Sequence, residues 1–230
     1  MNMEQEAIEY ARRNKKRFAS ELTSLDKYPK EEHPASFFMA GSPGAGKTET
    51  AEAIIGDKET QTIHIDPDKY RSFFSDYDGS NSFLFNSAVS IITDAIHDKC
   101  LANNQTFIFD STASNFTKMK ENMERSLKRK RDVIIIFVYQ SPLEAWDFVK
   151  KREKIEGRRI TKEVFIEHYF NSRLSVNKLK EIFKEKIIIH LVIKDLSGKR
   201  RKYFQNVTDV DYHIRASNYT KDFLTNKLCY

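Results

Sequence analysis

Eight consecutive residues, Gly41-Ser42-Pro43-Gly44-Ala45-Gly46-Lys47-Thr48, fit the pattern G-x-x-x-x-G-K-[ST] at every fixed position. Such a glycine-rich turn lets successive backbone N–H groups face inward as an anion nest, and a helix N-terminus behind it adds a favourable dipole for phosphate. Lys47 would then bridge the β- and γ-phosphates of a nucleotide, and the Thr48 hydroxyl would ligate Mg²⁺, while Pro43 and Ala45 shape the loop. Glycine is otherwise scarce. Only 7 of 230 residues are glycine, and three of them fall between Gly41 and Gly46, so their clustering has a local cause.

Two further stretches carry chemistry. Thr62-Ile63-His64-Ile65-Asp66 reads as a strand that runs into Pro67-Asp68-Lys69-Tyr70-Arg71, and Thr106 to Phe109 reads as another that ends in Asp110-Ser111-Thr112. In an open parallel sheet, ligands bind beyond the carboxyl ends of the strands, where all of these groups could face one cleft. A phosphoryl acceptor hydroxyl needs a carboxylate that orients it and takes its proton. Asp68 is the first candidate and Asp66 the second, against the alternative that both cap the following helix. Arg71 would sit beside the γ-phosphate, and Asp110 would hold Mg²⁺ through water or touch the acceptor, with Thr112 nearby. Between Lys150 and Arg159 several cations surround Gly157, as in a lid. Arg152 and Arg159 are the candidates to offset charge on the transferred group, a contribution worth about 10³ to 10⁵ in rate when supplied by an arginine finger. A solvated basic helix face is the alternative.

The elements that must position these groups follow from periodicity. Strand-like segments at 36–40, 62–66, 106–110, 132–140 and 186–194 alternate with helical patterns, which predicts an α/β fold with a parallel sheet of about five strands flanked by helices. Residues 1–34 read as an N-terminal helical appendage, 35–195 as a P-loop kinase core with a lid near 150–162, and 196–230 as a C-terminal extension of hairpin and helix. Ser141-Pro142 starts one helix and another spans about 161 to 183, with His168 as a packed helix-face residue.

Composition narrows the class. The chain is 40% hydrophobic and 31% charged, enough apolar material for one core. No apolar run reaches the roughly 18 residues needed to span a bilayer, and the first residues lack a signal-peptide pattern, so a cytoplasmic location without membrane partners is expected. Cys100 and Cys229 are too far apart for a metal-ligand spacing, and the six histidines are scattered. A net charge of +6 favours anionic partners, while the basic runs Lys128 to Arg131 and Lys199 to Lys202 read as solvated surface.

Taken together, Gly41 to Thr48, Ile65 to Arg71, Phe109 to Thr112 and the arginine-bearing lid resemble the zeta toxin family of P-loop kinases over about residues 35 to 175. The resemblance implies ATP- or GTP-dependent phosphorylation of a UDP-activated amino sugar, typically UDP-N-acetylglucosamine at its 3′-hydroxyl, which poisons cell-wall synthesis. It places the catalytic aspartate at Asp68, the phosphate-loop lysine at Lys47, the lid arginines at Arg152 and Arg159, and acceptor contacts at Asp110 and Thr112. It also implies a small helical antitoxin as partner. Two other readings stay open: a kinase of another small metabolite or of a nucleic-acid 5′-hydroxyl, and a nucleotide-switched module that binds RNA or protein.

Overall fold

The structure, a computed structural model, describes residues 2–56, 62–157, 159–194, 201–214 and 219–229. Six strands form one sheet: β1 (Ala35–Ala40), β2 (Ile63–Ile65), β3 (Phe107–Phe109), β4 (Asp132–Tyr139), β5 (Ile188–Lys194) and β6 (Arg201–Phe204). Their order is β2-β3-β1-β4-β5-β6, parallel through β5. The chain moves from one side of β1 to the other between β3 and β4, so the topological switch lies at the carboxyl end of β1, where the glycine-rich stretch begins.

Strands buried on both faces read as continuous apolar runs rather than alternating ones, and β4 is of this kind. Its Val133, Ile135 and Phe137 point into a core with α3 (Asn86–Ala102), while Ile136 and Val138 pack on the opposite face with Ala51 of α2 (Lys47–Ile55). The strand counted beyond the expected five is β6, which pairs antiparallel with β5 from Leu191–Phe204 to Lys194–Arg201. The turn expected at Asp195 to Gly198 lies outside the described residues.

The N-terminal helix α1 (Met3–Leu22) corrects the expectation of an appendage. Its Ala7, Ala11, Phe18 and Ala19 are buried in the same core as Phe38, Ile92 and Phe107, and the helix lies along α3. Two alanines one turn apart let it approach closely while its other positions stay charged, and the Asn2–Gln5 capping box fixes its start. Arg131 is a second correction. It is buried, donating from Nε to Ser36 Oγ (2.8 Å) and from Nη2 to the Ala35 carbonyl oxygen (2.9 Å), so it ties β1 to β4 instead of facing solvent.

Beyond the sheet, α4 (Phe116–Leu127) precedes β4, and α5 (Pro142–Glu156) and α6 (Lys162–Phe183) follow it. The short α7 (Val210–Ile214) and α8 (Lys221–Lys227) end the chain. Ala145, Trp146 and Val149 of α5 share a separate apolar cluster with Phe165 and Tyr169 of α6 and with Leu224 and Leu228. Trp146 Nε1 donates to the Cys229 carbonyl oxygen (2.8 Å), which fastens the C-terminal segment to α5. Among the described residues no helix is long and apolar enough to cross a membrane.

Candidate active site

The phosphate loop holds backbone conformations that L side chains rarely adopt, with φ of +137° at Gly41, +74° at Gly44 and +81° at Gly46. Close approach also requires glycine. A Cβ at Gly41 would lie 2.3 Å from the Val138 carbonyl oxygen, and one at Gly44 would lie 2.1 Å from that of Ala145. Helix α2 starts at Lys47 with Gly46 as its cap and no side-chain hydrogen bond to its first turn, which leaves those N–H groups for a ligand. Lys47 Nζ donates to the Ser42 carbonyl oxygen (2.9 Å), so its ammonium lies over the loop. Lys194, at the end of β5, reaches the loop from the other side and donates to the Gly46 carbonyl oxygen (2.9 Å).

Strand periodicity gathers the acidic groups beside α2. His64 and Asp66 are two residues apart and share a face, His64 pairs with Ile108 across the sheet, and the Asp110 N–H donates to the Ile65 carbonyl oxygen (2.8 Å). Asp110 therefore lies on the same face. Its Oδ2 accepts from the Thr48 hydroxyl (2.9 Å) and is 3.8 Å from His64 Nε2. One ligand atom from each of His64, Asp66 and Asp110 lies within 4.8 Å of the others. Burial pushes the Asp66 carboxyl above the usual carboxylate range, and the negative charges of Asp110 and Asp68 push it further.

Asp66 and Asp68 have different local roles. Asp66 Oδ1 accepts from the Asp68 N–H (2.9 Å), which fixes the turn, whereas the Asp68 side chain makes no capping bond to the helical turn Lys69–Phe73. It points instead at two guanidiniums. Oδ1 accepts from Arg71 Nη1, and Oδ2 is 3.7 Å from Arg152 Nη2. Arg71 is buried and anchored by Asn86, whose Oδ1 accepts from Nη2 (3.0 Å). Arg152 is about half exposed and also donates to Glu156 (2.7 Å), one turn along α5. Asp68 itself is 32% exposed, so its carboxylate is both held and reachable.

Arg159 Nε is 3.9 Å from Glu153, and most of its side chain is exposed. Arg158, beside it, lies outside the described residues. Thr112 accepts the Gly41 N–H through its carbonyl oxygen (3.2 Å), and its hydroxyl is 2.8 Å from that of Ser114. It lines a cleft of about 240 Å³ with Pro67, Arg71, Asn86, Phe109 and Asn122, so the chain on either side of Asp68 contributes to its wall. His64, Asn86 and Lys194 are polar groups of this region that the sequence did not single out; strand alternation flags only His64, since it stands two residues before Asp66.

The fold has counterparts among solved structures. The toxin–antitoxin system PezAT of Streptococcus pneumoniae matches with a TM-score of 0.67 at 14% identity, over 98% of this chain and 94% of that one. The AvrRxo1-ORF1:-ORF2 complex with ATP gives 0.63 at 13% identity, over 98% of this chain and 72% of that one. A chain of the Pnkp1/Rnl/Hen1 RNA repair complex gives 0.52 at 18% identity, over 79% of this chain and 51% of that one. These likenesses show the fold. Among curated proteins no sequence matches this chain significantly. The family model of Zeta toxin matches residues 19–208, and with the phosphate loop and sheet order described above this chain belongs to the zeta toxin family of P-loop kinases.

Proposed function

We propose that the protein transfers the γ-phosphate of ATP or GTP to a hydroxyl of a UDP-activated amino sugar such as UDP-N-acetylglucosamine. The observation that carries this reading is the placement of Asp68, whose partly exposed carboxylate is faced by Arg152 and oriented by buried Arg71, a residue that also lines the cleft. A nucleotide-switched module needs no such acceptor base. Asp68 takes the proton of the acceptor hydroxyl as its oxygen bonds to the γ-phosphorus and the bond to the β-phosphate oxygen breaks.

The loop fits a triphosphate. Its N–H groups and Lys47 hold the phosphates, and Arg152 leaves Asp68 for the phosphoryl oxygens as negative charge develops there. Thr48 and Asp110 have the oxygen donors that would hold Mg²⁺, which would offset negative charge on the phosphates. Asn86 and Asn122 give the cleft amide groups for a polar acceptor, in keeping with an amino sugar, Arg71 and Thr112 line it too, and Asp66 and Asp110 are the further acidic groups that would meet the acceptor. Arg159 is the second lid cation in this reading. Membership of a toxin family and likeness to a toxin–antitoxin system support a small helical antitoxin as partner.

The test is to incubate the protein with Mg-ATP and a mixture of UDP-sugars, nucleosides and short oligonucleotides and to weigh every product. A UDP-N-acetylhexosamine that gains one phosphate is expected. Phosphate found only on another acceptor would replace the substrate, and the absence of any phosphorylated acceptor would overturn the kinase reading.

A further inference from the structure

The role of Thr48 and Asp110 leaves His64 unexplained. Its Nε2 is shielded from solvent and has no hydrogen-bond partner, and the 3.8 Å to Asp110 Oδ2 is too long for a hydrogen bond. Buried polar atoms are nearly always satisfied, so an orphan of this kind calls for a cause. Around it stand two carboxylates, Asp66 and Asp110, each more than nine-tenths buried and within 4.8 Å of the imidazole and of each other. Two ligand atoms bound at about 2.2 Å and cis in an octahedron are about 3.1 Å apart, so these groups stand about 0.7 Å to about 1.7 Å outside a ligating arrangement.

We propose that His64, Asp66 and Asp110 form a site for a divalent first-row transition metal ion of the Mn²⁺ type, with His64 Nε2 as its nitrogen ligand. This deepens the kinase reading by naming the metal class of the same site. Mg²⁺ takes oxygen ligands and gains nothing from an imidazole, whereas transition metals accept mixed nitrogen and carboxylate sets. The ligands come from adjacent strand ends, which hold them more rigidly than loops would. A dication between Asp66 and Asp110 also offsets two buried negative charges, and Thr48, hydrogen-bonded to Asp110, offers a hydroxyl oxygen at the same place.

The probe is Mn²⁺ added to the full chain without nucleotide. Loss of the free-ion electron paramagnetic resonance signal gives affinity, and pulsed spectra report nitrogen-14 coupling. The expected result is binding with nitrogen coupling in the wild type, and in His64→Leu no coupling with affinity lower by roughly tenfold or more. His64→Gln, also without imidazole, serves if the leucine variant does not fold. Binding without nitrogen coupling, equal affinity and coupling in the variants, or no binding at millimolar Mn²⁺ would overturn the proposal. Phosphotransfer supported by Mg²⁺ with no nitrogen coupling would sink this inference alone, and nitrogen coupling without phosphotransfer would sink only the kinase reading.

Discussion

Replacing Gly44 with alanine tests how closely the phosphate loop is matched to the helix that carries Arg152. The added Cβ would stand 2.1 Å from the Ala145 carbonyl oxygen, and ordinary contact begins at 3.4 Å, so the two must separate by about 1.3 Å. Ala145 belongs to α5 and is fully buried beside Trp146, whose indole is fastened to the C-terminal segment. The loop therefore gives way rather than the helix. An alanine at φ +74° adds roughly 1–2 kcal/mol of backbone strain, which lowers the melting temperature by a few degrees in a chain of this size. A displacement of about 1 Å at a reacting centre costs on the order of 10² in rate, or about 2.7 kcal/mol in the barrier. Calorimetric titration with nucleotide, turnover and thermal melting on one preparation separate these effects. Gly56→Ala is the control: that glycine has right-handed helical φ, and a new Cβ would be 3.2 Å from the Glu52 carbonyl oxygen, so a shift of only about 0.2 Å is needed and changes within about 0.5 kcal/mol are expected. If Gly44→Ala binds nucleotide and turns over like the wild type, the loop is not held against α5 as described.

Two other changes separate roles. Arg152→Ala should lower the turnover number by about 10³ with nucleotide affinity little changed, because in the proposed reaction the half-exposed guanidinium acts on charge that develops during transfer; an unchanged turnover number would place it outside the reaction. His97 is fully buried among Phe38, Phe107 and Phe109, and burial, with the cations Arg125, Arg131 and Lys118 nearby, pushes its pKa down to about 3. Between pH 6.5 and about 3 the unfolded chain binds this proton and the folded one does not, so the stability present above pH 6.5 is lost as pH falls through that window. Denaturant melts should show a loss of about 2 kcal/mol from this group between pH 7.5 and 5, and His97→Leu should lack that share. An identical pH slope in the variant would refute the assignment.

What could be read from the sequence was local. The phosphate loop is contiguous and its glycines are required by backbone geometry, so residues 41 to 48 were legible at once. The strands announced themselves by apolar runs, and β4 at Asp132–Tyr139 matches its expected span within a residue. The role of α1 was hidden because its buried stripe rests on Ala7 and Ala11 within a strongly charged helix. Arg131 looked like surface because its neighbours are basic, and only the pairing of β1 with β4 shows what its guanidinium binds. Asn86 and the approach of Arg152 to Asp68 depend on how α3 and α5 pack, which no spacing encodes.

In the proposed reaction Asp68 takes the acceptor proton. The measurement is the turnover number for phosphate transfer by Asp68→Asn against wild type, with nucleotide affinity determined on the same preparations. Asparagine keeps an oxygen for Arg71 but loses the carboxylate charge, and with it the ability to accept the proton. A fall of roughly 10² to 10⁴ in turnover is expected, with nucleotide binding nearly unchanged. Turnover retained at the wild-type level would contradict it and move the base to another residue.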